Sequence, residues 1–450
     1  MGIQIDNILH PHGHRSRMLR NNILLSSVIK VAGLSTSFLI VPITLTYLAP
    51  EQYGIWMTLS SILFWFSFFD VGLGNGMRNY LAQAIAEKDF KKGRTYIATT
   101  LFMLSAIALC LATLIVCLAF TLNLNKVFNT NTLDNAQLRE AVLIACLFTL
   151  LMFVVKNIGT VYVALQRYAV NDFLVVTGNI AALLLVFICT KIEPQGNLSH
   201  IVFIFTSIPA LVFLFGAVPL FTKHPELRPT RQDIDWAFGK QLLKKGLGFF
   251  FIQITSCLVI FGGSNLFITQ YMGPEAVTTY NIAYKYFNLL AIAYTIIVSP
   301  MWNAYTDAYV KKDYTWIKHT FRYALLIWGC TLAGGLVMLL FSQFFYELWI
   351  GDTVNVPMSV SVSVLLYISF FNLNNCVTAL INGLNKIHVQ IITSIVITIL
   401  YVIVVLLTGN HLGIEGIVYC MTGSYVVMSI IHLYQCRLLI SQQASGIWNK

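Results

Sequence analysis

The chain is 450 residues long, enough for about three soluble domains, yet 57% of its residues are hydrophobic and only 10% are charged. An ordinary globular protein carries roughly 25% charged residues, so this chain, with a mean hydropathy of +0.75, lacks the charges to clothe a water-soluble surface. Its net charge of +10 would suit a nucleic-acid partner, but with so few charges their placement outweighs their sum: the composition is that of an integral membrane protein.

Apolar runs long enough to cross a bilayer core, about 20 residues, recur along the whole chain. They predict twelve spans, at residues 23–48, 55–73, 96–122, 141–165, 173–189, 201–221, 247–269, 278–302, 323–344, 360–381, 389–407 and 414–433. Strand alternation is absent from them, and helices satisfy their own backbone groups in lipid. The expected fold class is therefore all-α, with twelve transmembrane helices.

The loops orient the chain. One set carries 22 of the 28 basic residues: Arg15, Arg17 and Arg20; Arg78, Lys88, Lys91, Lys92 and Arg94; Arg167; Lys223, Arg228, Arg231, Lys240, Lys244 and Lys245; Lys311, Lys312, Lys318 and Arg322; Lys386; Arg437 and Lys450. The opposite set holds only Lys126, Arg139 and Lys191. An even number of spans with both termini cytoplasmic fits that split.

In chain order, the N-terminal tail carries His10, His12 and His14 around Pro11 and Gly13, which reads as a solvated tail before a metal site. The first apolar run follows without a small-residue cleavage site, so it is not read as a removable signal. Lys30 falls inside span 1, roughly 12 Å of helix rise from the cytoplasmic end. Asp70 falls near the cytoplasmic end of span 2, followed by Gly72, Gly74, Gly76 and Arg78. That glycine run lacks the strand and βαβ unit of a nucleotide loop; it is expected to unwind the end of the span. Lys156 lies in span 4, at a depth similar to Lys30, and Asp172 sits at the edge of span 5.

Thr222 to Lys245 is the longest cytoplasmic connection, and Ile234, Phe238 and Leu242 give it one apolar helical face, expected to lie on the membrane surface. Span 7 carries Gln253, Ser256, Ser264 and Asn265, and span 10 carries Asn372, Asn374, Asn375, Asn382 and Asn385. Such side chains bridge helices or meet sugar hydroxyls. Lys285 in span 8 sits among Tyr280, Tyr284, Tyr286 and Asn288. The nine cysteines lie in or beside spans with no CxxC pair, which indicates neither a disulfide framework nor a zinc site. No catalytic set, metal site or cofactor motif is found, and no nucleic-acid partner is expected.

Two motifs recur at one shift of 224 residues. Tyr47-Leu48-Ala49-Pro50-Glu51 returns as Tyr271-Met272-Gly273-Pro274-Glu275, and Lys88-Asp89-Phe90 as Lys312-Asp313-Tyr314. The shift is nearly half the chain. It predicts a duplicated unit: an N-terminal six-helix lobe over 1–222, a cytoplasmic linker over 223–245 and a C-terminal six-helix lobe over 246–450. Six spans per half means both halves insert in the same direction, so a pseudo-two-fold along the membrane normal relates them, with a substrate path between.

Ionisable groups in hydrocarbon are costly and usually face a cavity or a partner. Lys30, Lys156 and Lys285 are the basic residues inside predicted spans. They snorkel or pair structurally, Lys30 with Asp70 for instance, or they form a cationic lining for an anionic substrate. A pump for organic cations would need buried carboxylates, and the spans offer almost none.

Tyr53-Gly54-Ile55-Trp56 and Asp70-Val71-Gly72-Leu73-Gly74-Asn75-Gly76-Met77-Arg78 resemble the opening signature of Wzx-type O-antigen repeat-unit flippases. Leu242-Leu243-Lys244-Lys245-Gly246-Leu247, leading to Phe249-Phe250-Phe251, is similar to the start of their second half. So is Tyr280-Asn281-Ile282-Ala283-Tyr284-Lys285, with Ser299-Pro300-Met301-Trp302 closing the span. The resemblance implies the fold of the multidrug/oligosaccharidyl-lipid/polysaccharide exporter superfamily, two six-helix lobes working by alternating access. It implies a flippase, not an enzyme, that moves an undecaprenyl-pyrophosphate-linked oligosaccharide to the periplasmic leaflet of a bacterial inner membrane. Membrane lipids, a proton or sodium coupling ion and polysaccharide polymerase machinery are the partners it implies. Lipid II flippases of the superfamily resemble the chain less, since they usually carry two extra spans. The substrate-binding residues expected on both grounds are Lys30, Asp70, Arg78, Lys156, Asn281, Tyr284 and Lys285. The rivals are a multidrug or cation antiporter of the same superfamily and a membrane-embedded polysaccharide polymerase or ligase, for which the short outer loop at 123–140 offers no catalytic set.

Overall fold

The computed structural model describes residues 14–66, 73–193, 196–243 and 263–449, and among these there is no β-strand. The helices are α1 (His14–Tyr47), α2 (Pro50–Trp65), α3 (Leu73–Ala86), α4 (Phe90–Thr121), the short α5 (Leu124–Phe128), α6 (Asn135–Val155), α7 (Asn157–Ala164), α8 (Tyr168–Ile192) and α9 (Leu198–Lys223). A short α10 covers 236–243. Then come α11 (Gly263–Met272), α12 (Pro274–Val310), α13 (Tyr314–Leu340), α14 (Ser342–Ile350), α15 (Met358–Gly383) and α16 (His388–Ile440). Eight helical stretches among the described residues are long and apolar enough to cross a membrane. The chain is an all-α, multi-pass membrane protein.

The recurring sequence motifs fold alike. Pro50 opens α2 and Pro274 opens α12, each at the first helical position where its missing N–H is no loss. Asp89 caps α4 by accepting from the Lys92 N–H, and Asp313 caps α13 by accepting from the Trp316 N–H. The residues before these caps, Lys88 and Lys312, both adopt left-handed backbone, with φ of 59° and 58°.

Several elements depart from the sequence reading. Gly74 and Gly76 lie inside α3, so they do not unwind the chain; the end of span 2 at residues 67–72, with Asp70, lies outside the described residues. Span 4 is broken at Lys156, which closes α6 and precedes α7. Spans 11 and 12 follow as two helices, written here as the two arms of α16, and they part at Gly413, whose φ of 63° and ψ of 179° are not helical. The linker's apolar face does not rest on a membrane surface either: Phe238 and Leu242 are buried in a core with Leu73, Met103, Leu104, Leu150 and Phe153. The Phe238 ring lies 5.3 Å from Tyr80 and 4.5 Å from Tyr96. Ile234 falls in the extended residue before α10 and takes no part in that face.

Contacts divide the chain into two compact units, one of Met1–Ala49, Ile62–Val127 and Asn131–Phe251, the other of Pro50–Ser61, Phe128–Thr130 and Ile252–Lys450. In the first unit α8 packs closely on α9, where Gly178 admits the backbone of Pro209, and Gly216 admits Leu174. Small residues of this kind let helices approach in lipid, where burial of apolar surface gives no drive to associate. The linker is tied down by Asp235, whose N–H donates to Thr99 Oγ1 at 2.9 Å, and by Arg94 facing Asp233 at 3.6 Å. Hydrogen bonds from Thr230, and then the charges of Arg94 and Lys91, hold the Asp233 carboxyl below the usual range.

In the second unit the first half of α2 is fastened to α11 and α12. Thr58 and Thr269 share a hydroxyl hydrogen bond at 2.5 Å, and the Thr278 hydroxyl donates to the Pro50 carbonyl at 2.6 Å. Gly54 meets the Pro274 carbonyl so closely that an added Cβ would stand 1.8 Å from its oxygen. The Asn129 amide donates to the carbonyls of Thr269 and Gln270, and Thr130 bonds to Glu51. The far side of this unit is a core of Tyr294, Tyr305, Ile317, Phe321, Val377 and Leu380.

Candidate functional site

In the first unit, α3 and the end of α7 bound an open pocket of about 430 Å³, lined by Arg78, Asn79, Gln166, Tyr168 and the apolar Ala82, Ile85 and Leu165. The turn after α7 shapes it. Gln166 takes a left-handed φ of 61°, its N–H donates to the Val163 carbonyl, and the Arg167 N–H reaches back to Tyr162. This pair of hydrogen bonds closes the helix end and leaves Gln166 lining the pocket together with Arg78. Arg78 is exposed there.

Lys156 is half-buried at the α6–α7 break, its ammonium 5.4 Å above the Phe153 ring. Beside it Asn157 is 1% exposed, with its amide N–H groups on the Phe153 and Val154 carbonyls and its Oδ1 unpaired. The break thus sets a cation and an orphan acceptor side by side along the chain. The Lys30 backbone is helical within α1, but its side chain and Asp70 lie outside the description, and with them the Lys30–Asp70 pair.

In the second unit Asn281, Tyr284 and Lys285 share one face of α12, as residues three and four apart must. Asn281 is 7% exposed and spends its amide N–H groups on Asn265 Oδ1 at 3.1 Å and the Val277 carbonyl at 2.8 Å. Asn265 in turn donates to the Met57 carbonyl and Ser61 Oγ. This amide relay joins α12, α11 and α2. It ties up Asn281 as a helix bridge, where the sequence reading gave it to substrate.

Tyr284 stacks on Tyr280 with centroids 5.9 Å apart and approaches Tyr367 at 6.4 Å. Tyr367 continues the cluster to Phe371 and Tyr425, at 6.3 and 5.8 Å. The hydroxyls of Tyr367 and of buried Tyr401 have no hydrogen-bond partner among the described residues. Lys285 is half-buried next to this cluster and makes no ion pair among the described residues. No Asp or Glu among the described residues is buried. The set offers a ring system, orphan hydroxyls and a cation without a counter-charge. Sequence reasoning found Lys285 and Tyr284; it passed over Tyr367, Tyr401 and Tyr425, since a tyrosine in an apolar run carries no sign of which neighbours it meets.

The profile of the polysaccharide biosynthesis protein family matches residues 19–302. The chain belongs to this family. A "Putative O-antigen transporter" of Salmonella typhi is 21% identical over 406 residues, 88% of this chain and 91% of that one. Among solved structures, an inward-facing multidrug resistance MATE family transporter of the MOP superfamily is similar with a TM-score of 0.74. That match has 16% identity and covers 91% of this chain and 95% of that one. The lipid II flippase MurJ in an inward closed conformation is similar with a TM-score of 0.69 and 14% identity, covering 92% and 87% of the two chains. The family member shares its fold with both.

Proposed function

We propose that this protein is a flippase that carries an undecaprenyl-pyrophosphate-linked oligosaccharide, an O-antigen or related repeat unit, from the cytoplasmic to the periplasmic leaflet by alternating access. The observation that carries the reading is Lys285: a half-buried cation in a membrane span, between Tyr284 and Tyr286 in the chain, with no acidic partner among the described residues. A charge left alone in hydrocarbon is costly, and a substrate that brings its own anion supplies what the site lacks. A pyrophosphate meets that need, while tyrosine rings and orphan hydroxyls suit a glycan whose faces are apolar and whose edges are hydroxyls. Relatives named O-antigen transporters support the glycan, and a fold shared with a lipid II flippase supports the lipid carrier.

Lys156 and Arg78 are read as the cationic groups of the first unit, Arg78 in the rim pocket where a headgroup first docks. Both termini are read as cytoplasmic, and the two lobes as 1–222 and 246–450 about the linker. A cation antiporter fits less well, because it calls for a buried carboxylate.

The test places the protein in proteoliposomes holding undecaprenyl-pyrophosphate-linked oligosaccharide, with an impermeant glycosidase reporting transfer between leaflets. Lys285→Ala is expected to lower transfer by about tenfold or more, the scale of one charge-assisted contact, and Lys285→Arg to keep part of it. Wild-type transfer by the alanine variant at equal protein level overturns the reading.

A further inference from the structure

The second arm of α16 places His432 at 1% exposure, inside the apolar part of the bundle. Its Nε2 lies 2.9 Å from Thr393 Oγ1, and its Nδ1 lies 3.0 Å from Asn374 Oδ1. The Thr393 hydroxyl proton is directed to the Val389 carbonyl at 2.8 Å, which leaves the oxygen free to accept from Nε2–H. Asn374 is ambivalent: its amide turns either an oxygen or an NH₂ to the ring. A neutral ring donates from Nε2 and accepts at Nδ1 from the amide nitrogen. A protonated ring donates from both nitrogens, to Thr393 and to the amide oxygen. Half a turn of one amide separates the two states, and neither leaves a buried ring nitrogen unpaired.

A second observation gives a route. Ser429 and Gln435 lie one turn to either side of His432, and Gln390 lies one turn from Thr393 on the other arm. Ser429 Oγ, Gln435 Oε1 and Gln390 Oε1 are buried acceptors without a partner among the described residues. Gln435 Nε2 donates to the Lys386 carbonyl at 2.9 Å, so this polar track reaches the 384–388 turn from a residue about 5 Å of helix rise from His432. Orphan acceptors in series are where water bridges polar groups.

No charge competes at the ring. The buried titratable groups on α12, α15 and α16 besides His432 are Tyr280, Tyr286, Tyr294, Tyr305, Tyr367, Tyr401, Tyr425, Cys376 and Cys436, all neutral below the thiol range. Lys386 sits at the turn with its ammonium on the Asn449 carbonyl at 2.9 Å. His388, Arg437, Lys318, His319, Arg322 and Asp307 are exposed. No carboxylate among the described residues pairs with the ring.

We propose that His432 is a proton-binding site: one proton enters from water at the 384–388 end along the Gln435 track, binds the ring as imidazolium with Asn374 as its acceptor, and leaves again to water. No other bond changes; water at the 384–388 end supplies the proton and takes it back. That this proton couples to glycan transfer rests on the function proposed above.

Two measurements separate these statements. The full-length protein in lipid nanodiscs, labelled with ¹⁵N-histidine, gives ring signals for nine histidines, and His432→Gln identifies the one of interest. That ring is expected to gain its second proton between about pH 4 and 8. Asn374→Asp should raise the midpoint by about one unit or more and Asn374→Leu lower it. A ring that stays neutral down to pH 4, or a midpoint indifferent to residue 374, overturns the proton site. In the proteoliposome assay an imposed pH gradient is expected to speed wild-type transfer by about fivefold or more and to leave His432→Gln unaccelerated. Equal acceleration of that variant overturns the coupling. A wild-type protein that moves no glycan at all defeats the function reading instead, and the ring titration still decides the site.

Discussion

Among the described residues, six helix ends close on a non-glycine residue in left-handed backbone: Asn129, Lys88, Gln166, Lys312, Asn385 and Gln442. The last five share a pair of back-bonds from the left-handed residue and the one after it, as when the Asp313 N–H reaches Ala308 and the Lys312 N–H reaches Tyr309. A side chain there costs roughly 1–2 kcal/mol, part of which glycine returns as unfolded-state entropy. Lys312→Gly is therefore expected to stabilise the protein by about 0.5–1 kcal/mol, read as a higher midpoint of thermal unfolding in detergent. A lower midpoint would mean that the exposed lysine makes a contact worth more than the strain. Lys312 is one of many basic residues on its side, so the charge bias survives its loss. Asn281 teaches the opposite lesson at the same scale: an amide beside a lysine reads as a ligand in sequence, and only the position of Asn265 reveals that it bridges helices.

At the scale of elements, Gly54 leaves an added Cβ less room than any other described glycine of the second unit, where α2 meets α12. A methyl group there would stand 1.8 Å from the Pro274 oxygen and 2.5 Å from its carbon, both backbone atoms that cannot rotate away. Gly54→Ala must part the two helices and with them the Thr58–Thr269 and Thr278–Pro50 hydrogen bonds, each costing about 1–3 kcal/mol when a buried partner is stranded. Most folded protein is expected to be lost, measured as the monodisperse fraction on size exclusion. Gly329→Ala, whose methyl group meets nothing within 4 Å, should behave as wild type. Equal recovery of the two variants would show that the α2–α12 contact yields easily. The linker shows where periodicity stops informing: Phe238 and Leu242 mark an apolar face, yet a bilayer and a neighbouring helix solvate such a face equally well, and Tyr80 and Tyr96 decide it.

For the whole molecule, the apolar runs locate the spans because lipid demands length and hydropathy, and they miss whatever lipid does not see. The helix of span 8 runs on from Trp302 to Val310 through polar residues, since water tolerates helix as readily as lipid does. Gly413 parts the two arms of α16 within a single residue, because its φ of 63° costs a glycine little. At the candidate site the lysines were legible because a charge in a span stands out, whereas His432 looks like any core residue until Thr393 and Asn374 are brought to its two nitrogens. The two recurring motifs fold alike, because a proline opening a helix and an aspartate capping one are fixed by backbone chemistry wherever they occur.

The second unit contains Pro50–Ser61, a piece of chain made long before the rest of it. At about 5–20 residues per second, this stretch waits on the order of ten to forty seconds between its own synthesis and the arrival of α11 and α12. Throughout that interval the Thr58 hydroxyl and the Gly54 groove lack their partners and face lipid, the translocation machinery or a membrane chaperone. Chains stalled before residue 263 should accordingly leave Thr58→Cys open to a membrane-permeant thiol reagent, and chains released at full length should protect it. Protection in the stalled chains would mean that another segment occupies the groove first.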